Sequence, residues 1–210
     1  MERKVTMQYT EQDFVEIAQP QTLALIAKAR ELARRYAQTD YSNTEARRSI
    51  LTKLLGKIGD RVEIDALFRC DYGKNIFIGS DVIINMNCTF VDNSPITIGD
   101  RVLIAPNVQI YTAGHPILPQ ERLAADWLEK GTPFFRTYAK PVRIEDGVWI
   151  GGGAILLPGV TVGRNSVIGA GSVVNRSIPE NCVAAGNPCR VARCFDPEET
   201  AGRRMDYGSV

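Results

Sequence analysis

From residue 144 to residue 179 an aliphatic side chain returns at every sixth position: Ile144, Ile150, Leu156, Val162, Ile168 and Val174. Small or turn-forming residues usually follow it, as in Ile150-Gly151-Gly152-Gly153 and Ile168-Gly169-Ala170-Gly171. A period of six matches neither the repeat of an amphipathic helix nor the alternation of a flat strand. It matches a coil with three short strands and three turns per rung, stacked into a parallel β-helix. Each rung turns its aliphatic position inward to build one hydrophobic column. Gly and Asn take the corners, where a positive φ penalises other residues.

A less regular form of the pattern lies upstream. Ile78-Gly79-Ser80-Asp81-Val82 and Ile98-Gly99-Asp100-Arg101-Val102 open two stretches whose spacing exceeds three hexapeptides, which predicts a small insertion near residues 92–95. The register breaks completely between residues 111 and 142, a loop of about thirty residues, and unstructured loops of that length in compact domains are usually functional or disordered. It contains the only histidine, His115, which points to function. Ahead of the coil, Leu25, Ala29, Leu32 and Tyr36 give residues 20–38 a helical spacing. A second helix is expected over about 44–55, capped by Ser42 or Asn43 and ended by Gly56. The expected organisation is an N-terminal helical cap region over 1–60, a mainly β coil over 61–194 with its extruded loop at about 111–141, and a C-terminal tail over 195–210. A stack of strands leaves two open ends. The helices cover one, and the Pro-containing segment from residue 177 covers the other.

Charge removes several partners. With 25 basic and 24 acidic residues, no whole-protein field draws the chain to nucleic acid or to a membrane. No apolar run is long enough to span a bilayer, and MERKVTMQYTEQDF lacks the apolar stretch of a signal peptide. Five cysteines (Cys70, Cys88, Cys182, Cys189, Cys194) show no metal-site spacing and no CxxC. One histidine cannot build the multi-histidine zinc site of a β-helical carbonic anhydrase. These features predict free thiols, no metal, and a cytoplasmic protein.

Seven segments together carry a resemblance. They are Arg69-Cys70-Asp71-Tyr72-Gly73-Lys74-Asn75-Ile76, Asn85-Met86-Asn87-Cys88, Ile98-Gly99-Asp100, Ala105-Pro106-Asn107-Val108, Gly114-His115-Pro116, Val148-Trp149-Ile150-Gly151-Gly152 and Ala185-Gly186-Asn187-Pro188. In order and nearly in spacing, over residues 69–193, they closely resemble the maltose and galactoside O-acetyltransferase branch of the hexapeptide-repeat acyltransferases. The resemblance implies a left-handed coil, an exception to the usual crossover hand. It also implies a homotrimer with sites between neighbouring coils, and acetyl transfer from acetyl-CoA to a hydroxyl of a sugar or other small molecule. Direct attack is expected, because no Ser or Cys sits in a nucleophile motif.

By the same resemblance His115 is the general base, a role suited to an imidazole. Asn85 matches the residue at the reacting centre; a corner Asn holding a left-handed turn would look the same in sequence. Trp149 matches the aromatic beside the imidazole, or is a structural Trp. The backbone N–H of Gly152 matches the oxyanion donor. Asn85, Gly152, Ala170, Gly171, Asn175 and Arg176 match the coenzyme flank, and Arg190 and Arg193 match the phosphate contacts, which suit guanidinium forks.

The acceptor side departs from the family. Glu16 falls where a sugar-binding aspartate is expected, and Asn93 replaces a second acid; Asp71 and Asp92 remain as hydroxyl partners. The loop beyond Arg122 is about ten residues longer than usual, a length that belongs to functional loops. It carries Asp126, Trp127, Phe134, Phe135 and Tyr138, which either stack on an acceptor or pack the loop down. Three readings stay open: a sugar O-acetyltransferase, an acetyltransferase of an antibiotic or secondary-metabolite hydroxyl, and a non-catalytic β-helix used as an assembly module.

Overall fold

In the computed structural model, which describes residues 9–15, 19–125, 127–130 and 134–196, the six-residue period builds a three-faced parallel β-helix. The first face stacks Lys57–Ile58, Ile76–Ile78, Ile96–Ile98, Val142–Ile144 and Thr161–Val162. The second stacks Glu63–Ile64, Ile83–Ile84, Leu103–Ile104, Trp149–Ile150, Val167–Ile168 and Cys182–Ala185. The third stacks Arg69–Cys70, Thr89–Val91, Gln109–Tyr111, Ile155–Leu156 and Val173–Val174. The coil therefore begins at Lys57, a few residues earlier than the sequence pattern suggests, because Lys57 and Ile58 already pair with Phe77 and Ile78.

The interior receives two residues from each face in every rung of the regular stretch. Ile144, Ile150, Leu156, Val162, Ile168 and Val174 are all fully buried, each worth about 1.5–3 kcal/mol. The positions two residues earlier are buried as well: Val142, Val148, Ala154, Val160, Ser166 and Ser172. The two serines fall where the coil ends and the strands need a polar partner. Ser166 Oγ donates to Pro179 O (2.6 Å) and accepts from Cys182 N (3.0 Å). Ser172 Oγ donates to Gly169 O (2.6 Å) and accepts from Gly186 N (3.1 Å).

The corners are less selective than glycine and asparagine alone. Between the first and second faces the left-handed residues are Arg61, Asp81, Arg101, Gly147, Asn165 and Asn181; between the second and third they include Leu67, Asn87, Asn107, Gly153 and Gly171. Stacking offsets the cost of positive φ at the bulky positions. Arg61 pairs with Asp81 one rung above (2.8 Å), and Asn87 Nδ2 donates to Asn107 Oδ1 (2.7 Å). The Gly-Asp motif has a separate cause: Asp146 Oδ1 accepts from Asp100 N (3.0 Å), and a Cβ on Gly99 would collide with Asp146.

Six residues separate successive inward positions at the first and second corners in every rung, as from Ile98 to Ile104 to Ile110. All length variation falls at the third corner, between the third face and the next rung. The expected insertion near residues 92–95 is there, and the corner is held by Asp92. This carboxylate is fully buried and accepts from the N–H groups of Asp71 (3.0 Å), Tyr72 (2.9 Å) and Asn75 (3.3 Å). Burial pushes its pKa up, and the backbone donors only partly offset that. The long loop leaves from the same corner one rung later.

Helices α1 (Pro20–Gln38) and α2 (Thr44–Leu54) pack on the first rung. Asn43 supplies the cap of α2, accepting from Ala46 N (3.1 Å), because Ser42 is spent on Asp40. The helices also supply donors to an edge that has no rung before it. Arg48 donates to Gly59 O (2.7 Å) and Ile58 O (3.2 Å), and Arg47 to Ile64 O (2.8 Å), with the Tyr36 hydroxyl on the same carbonyl. The buried Arg47 guanidinium lies 4.2 Å over the Tyr36 ring. At the far end a hairpin of Cys182–Ala185 and Arg190–Cys194 closes the second face. Its register sets Cys182 opposite Cys194, and these two form a disulfide, so the expectation of free thiols holds only for Cys70, Cys88 and Cys189.

The N-terminal segment departs from the helical reading. Phe14–Val15 is a strand antiparallel to Thr137–Ala139, which in turn pairs with Ala113–Gly114, making a three-stranded sheet on the extruded loop. Removing the corner carboxylate strands three backbone donors, that of Tyr72 buried and those of Asp71 and Asn75 half-buried, so Asp92→Ala should cost about 3 kcal/mol in urea unfolding, while Asp92→Asn, which keeps one acceptor, should cost about 1 kcal/mol.

Candidate active site

The loop that carries His115 returns to the coil in register. Lys140 N donates to Thr112 O (2.8 Å) and Val142 N to Pro95 O (3.0 Å). His115 follows the strand Ala113–Gly114, is exposed, and sets Nδ1 2.9 Å from the carbonyl oxygen of Arg136. A carbonyl only accepts, so Nδ1 carries the proton of the neutral ring and Nε2 keeps its lone pair. Nε2 has no hydrogen bond among the described residues. That is the electronic arrangement a proton acceptor needs. The aromatic next to His115 within the chain is Phe135, at 5.8 Å between centroids, followed by Phe134 (4.0 Å from Phe135) and Trp127 (5.7 Å from Phe134).

Trp149 does not meet His115 in one chain. It sits on the outer side of the second face, 45% exposed, stacked on Leu103 (40%) and one rung further from Ile83 (44%). These three form an outward apolar ladder on an otherwise ordinary surface.

Asn85 lies at the second corner. Its backbone is not left-handed; Asn87 holds the left-handed turn there. Its Nδ2 and its own N–H both donate to Ile104 O (2.8 and 2.9 Å), leaving Oδ1 without a partner among the described residues. Gly152, Ala170 and Gly171 continue the same corner upward. A Cβ on Gly153 or Gly171 would meet nothing within 4 Å, so glycine is required there by positive φ rather than by space. Gly152 O accepts from Gly171 N (2.9 Å), while the N–H groups of Gly152 and Ala170 have no partner among the described residues. This open edge with unspent donors suits a long amide-bearing ligand. At its upper end Arg190 Nη1 donates to Asn175 Oδ1 (3.3 Å) and Cys189 O (2.7 Å). Arg176 is exposed in the neighbouring turn, and Arg193 stands on the hairpin opposite Val183.

The structure thus gathers Asn85 with Gly152, Ala170 and Gly171, the candidate coenzyme flank, along one corner and leaves His115 on the loop that departs from another. Asn107 and Thr112 mark the two ends of one third-face strand, separated by about 15 Å of extended chain; the flank is at one end and the loop at the other. Sequence reasoning, which grouped Asn85 with His115, had no signal for this separation.

On the acceptor side the candidates disperse. Glu16 lies outside the described residues. Asp92 is committed to its corner, as above. Asn93 is half-buried and donates to the Tyr72 hydroxyl (3.2 Å). Asp71 is half-buried, with no hydrogen bond on its carboxylate among the described residues; burial raises its pKa, opposed by Arg30. It lines a cleft of about 550 Å³ between α1 and the third face, with Arg30, Arg34, Phe68 and Arg69. The thiols are poor nucleophiles: burial pushes Cys88 up to about 11, and raises Cys70 and Cys189 as well.

A hexapeptide coil with a lone imidazole on an extruded loop and an open small-residue edge defines an acyltransferase. Comparison with known proteins agrees. Residues 141–176 match the bacterial transferase hexapeptide (six repeats), and residues 17–59 match the maltose acetyltransferase hexapeptide capping motif. The chain is 41% identical to galactoside O-acetyltransferase of Lactococcus lactis over 84% of this chain and 80% of that protein. A maltose O-acetyltransferase of Clostridium difficile superposes with a TM-score of 0.79 at 43% identity, covering 87% of this chain and 92% of that one. A hexapeptide-repeat acetyltransferase of Vibrio cholerae, solved in complex with acetyl coenzyme A, gives 0.77 at 36% identity, covering 86% and 92%. The chain belongs to the hexapeptide-repeat acetyltransferases of the maltose and galactoside O-acetyltransferase family, which sets aside the assembly-module reading. Among the described residues no group of His, Cys, Asp and Glu could hold a metal ion, and no helix is long and apolar enough to cross a membrane.

Proposed function

We propose that this chain moves an acetyl group from acetyl coenzyme A to a hydroxyl of a small, sugar-like acceptor, with His115 as the general base. The observation that supports it is the Nδ1 hydrogen bond to Arg136 O, which leaves Nε2 free. Nε2 takes the hydroxyl proton as the acceptor oxygen attacks the thioester carbonyl; a C–O bond forms and the C–S bond breaks. The imidazolium then returns its proton to the departing thiolate, so the ring is unchanged over a cycle. The Gly152 N–H serves the carbonyl oxygen, Asn85 Oδ1 orients a donor on the acceptor or thioester, and Arg190 and Arg193 take the coenzyme phosphates. Burial raises the pKa of all three free thiols, which disfavours a relay through cysteine.

The reaction needs two copies. The base and the coenzyme flank lie at opposite ends of a strand, and the ladder Ile83, Leu103 and Trp149 is an apolar surface suited to a neighbour. A homotrimer places the imidazole of one coil against the flank and Trp149 of the next. On the acceptor side Asp71 is the available carboxylate. The aromatic run Trp127, Phe134 and Phe135 favours a second reading, a flatter hydroxyl compound such as an antibiotic or secondary metabolite. Screening sugars against aromatic alcohols with acetyl coenzyme A, with release of free thiol as the readout, decides between them.

His115→Ala should lower turnover by at least about a hundredfold with assembly intact; near-normal turnover would remove His115 from the mechanism. Arg190→Ala should raise KM for acetyl coenzyme A with kcat nearly unchanged. Trp149→Glu puts a charge in the apolar ladder and should yield monomers by light scattering that have lost activity; fully active monomers would contradict the shared site.

A further inference from the structure

The hydrogen bond that fixes His115 is itself gripped from a distant part of the chain. Residue 136 holds the imidazole through its carbonyl and donates its N–H to Arg122 O (2.8 Å). Its guanidinium lies 4.0 Å over the Phe14 ring and 3.3 Å from Glu11. Phe14 sits opposite Tyr138 in the antiparallel sheet. Tyr9 stacks on Tyr138 at 4.9 Å, meets Phe14 edge-on at 5.5 Å, and donates its hydroxyl to Glu121 (2.7 Å). That carboxylate pushes the Tyr9 phenol up to about 12. Tyr138 in turn closes over Gly114, where a Cβ would fall 2.5 Å from the Tyr138 hydroxyl oxygen. Both residues that set the imidazole are therefore in contact with the layer formed by residues 9–15 and Tyr138: Gly114 before it through backbone pairing with Tyr138, and Arg136 beside it through its side chain.

We propose that the N-terminal strand is a positioning element for the imidazole, with Phe14 as its central positioning residue. Phe14 holds Arg136 so that its carbonyl keeps the proton on Nδ1 and leaves Nε2 for the acceptor. The catalytic consequence rests on the reading of His115 as the base; the effect on the ring does not. Loss of the carbonyl partner frees a neutral imidazole to populate both tautomers.

The chain has one histidine, so imidazole nitrogen resonances of the full-length, untagged protein report a single ring. In mildly alkaline buffer, where imidazoles are ordinarily neutral, the wild type should show the Nδ1–H tautomer. Phe14→Ala should show a mixture and lose about tenfold in kcat, with KM for acetyl coenzyme A within about twofold, the pattern of a lost transition-state interaction. Phe14→Tyr, which keeps the ring, should restore both. Tyr9→Phe, which removes only the bond to Glu121, should shift the tautomers in the same direction by less. Unchanged imidazole signals in Phe14→Ala overturn the proposal, with or without a loss of kcat. A shifted tautomer with full kcat overturns the catalytic role. Failure of the base reading shows separately, as full turnover in His115→Ala.

Discussion

Every rung of this protein gives its backbone hydrogen bonds to the next, along the axis of the coil, and that ladder constrains everything else. Gly99 N reaches Ile144 O (2.8 Å), Leu103 N reaches Val148 O (3.0 Å) and Ala105 N reaches Ile150 O (3.0 Å). The bonds from Gly99 to Ala105 span the whole excursion of the loop, so the chain must leave at Thr112 and re-enter at Val142 without losing register. Neighbouring strands about 4.8 Å apart also leave no room for a side chain at Gly79 or Gly99. The same ladder leaves two ends unsatisfied. Arginines and a tyrosine from the helices answer one, and buried serines with a hairpin answer the other.

The sequence carried the inner column, because aliphatic residues at every sixth position have few competing explanations. It did not show that the positions two residues earlier are equally buried, because that file runs Val, Val, Ala, Val, Ser, Ser and its last two members are polar. Helix α1 was legible from end to end. The coil's start was not, since the inward file Ile58, Ile64 and Cys70 is followed by an eight-residue step to Ile78 that breaks the period. Arg61, Leu67, Asp81 and Arg101 adopt left-handed corners against their propensity, a case of stacking overriding local preference. The pairing of Phe14 with Tyr138 joins segments that are far apart in sequence, and neither flank announces a strand. The disulfide was missed for a related reason: Cys182 and Cys194 meet through hairpin register, which spacing alone does not supply.

For the site, the sequence supplied candidates without their arrangement. His115 stood out as a lone imidazole in a break of register, and the structure gives it a carbonyl partner. Asn85 and Trp149 were named from resemblance, but the coil places them on a corner and a face that His115 does not reach in its own chain. Sequence order hides this because successive corners are only six residues apart while lying on different sides of the prism. Asp92 shows the opposite hazard: a buried acid that reads as a ligand contact serves the backbone instead.

The three edges of the prism do not have the same freedom. Two keep a constant six-residue step through the described rungs, and both are files of stacked left-handed residues. The third absorbs an insertion at residues 92–95 and the whole excursion to Val142 without disturbing a rung. Innovation in such a scaffold is therefore confined to one seam. A longer or differently decorated cover can be built at that seam with every rung beside it left in register.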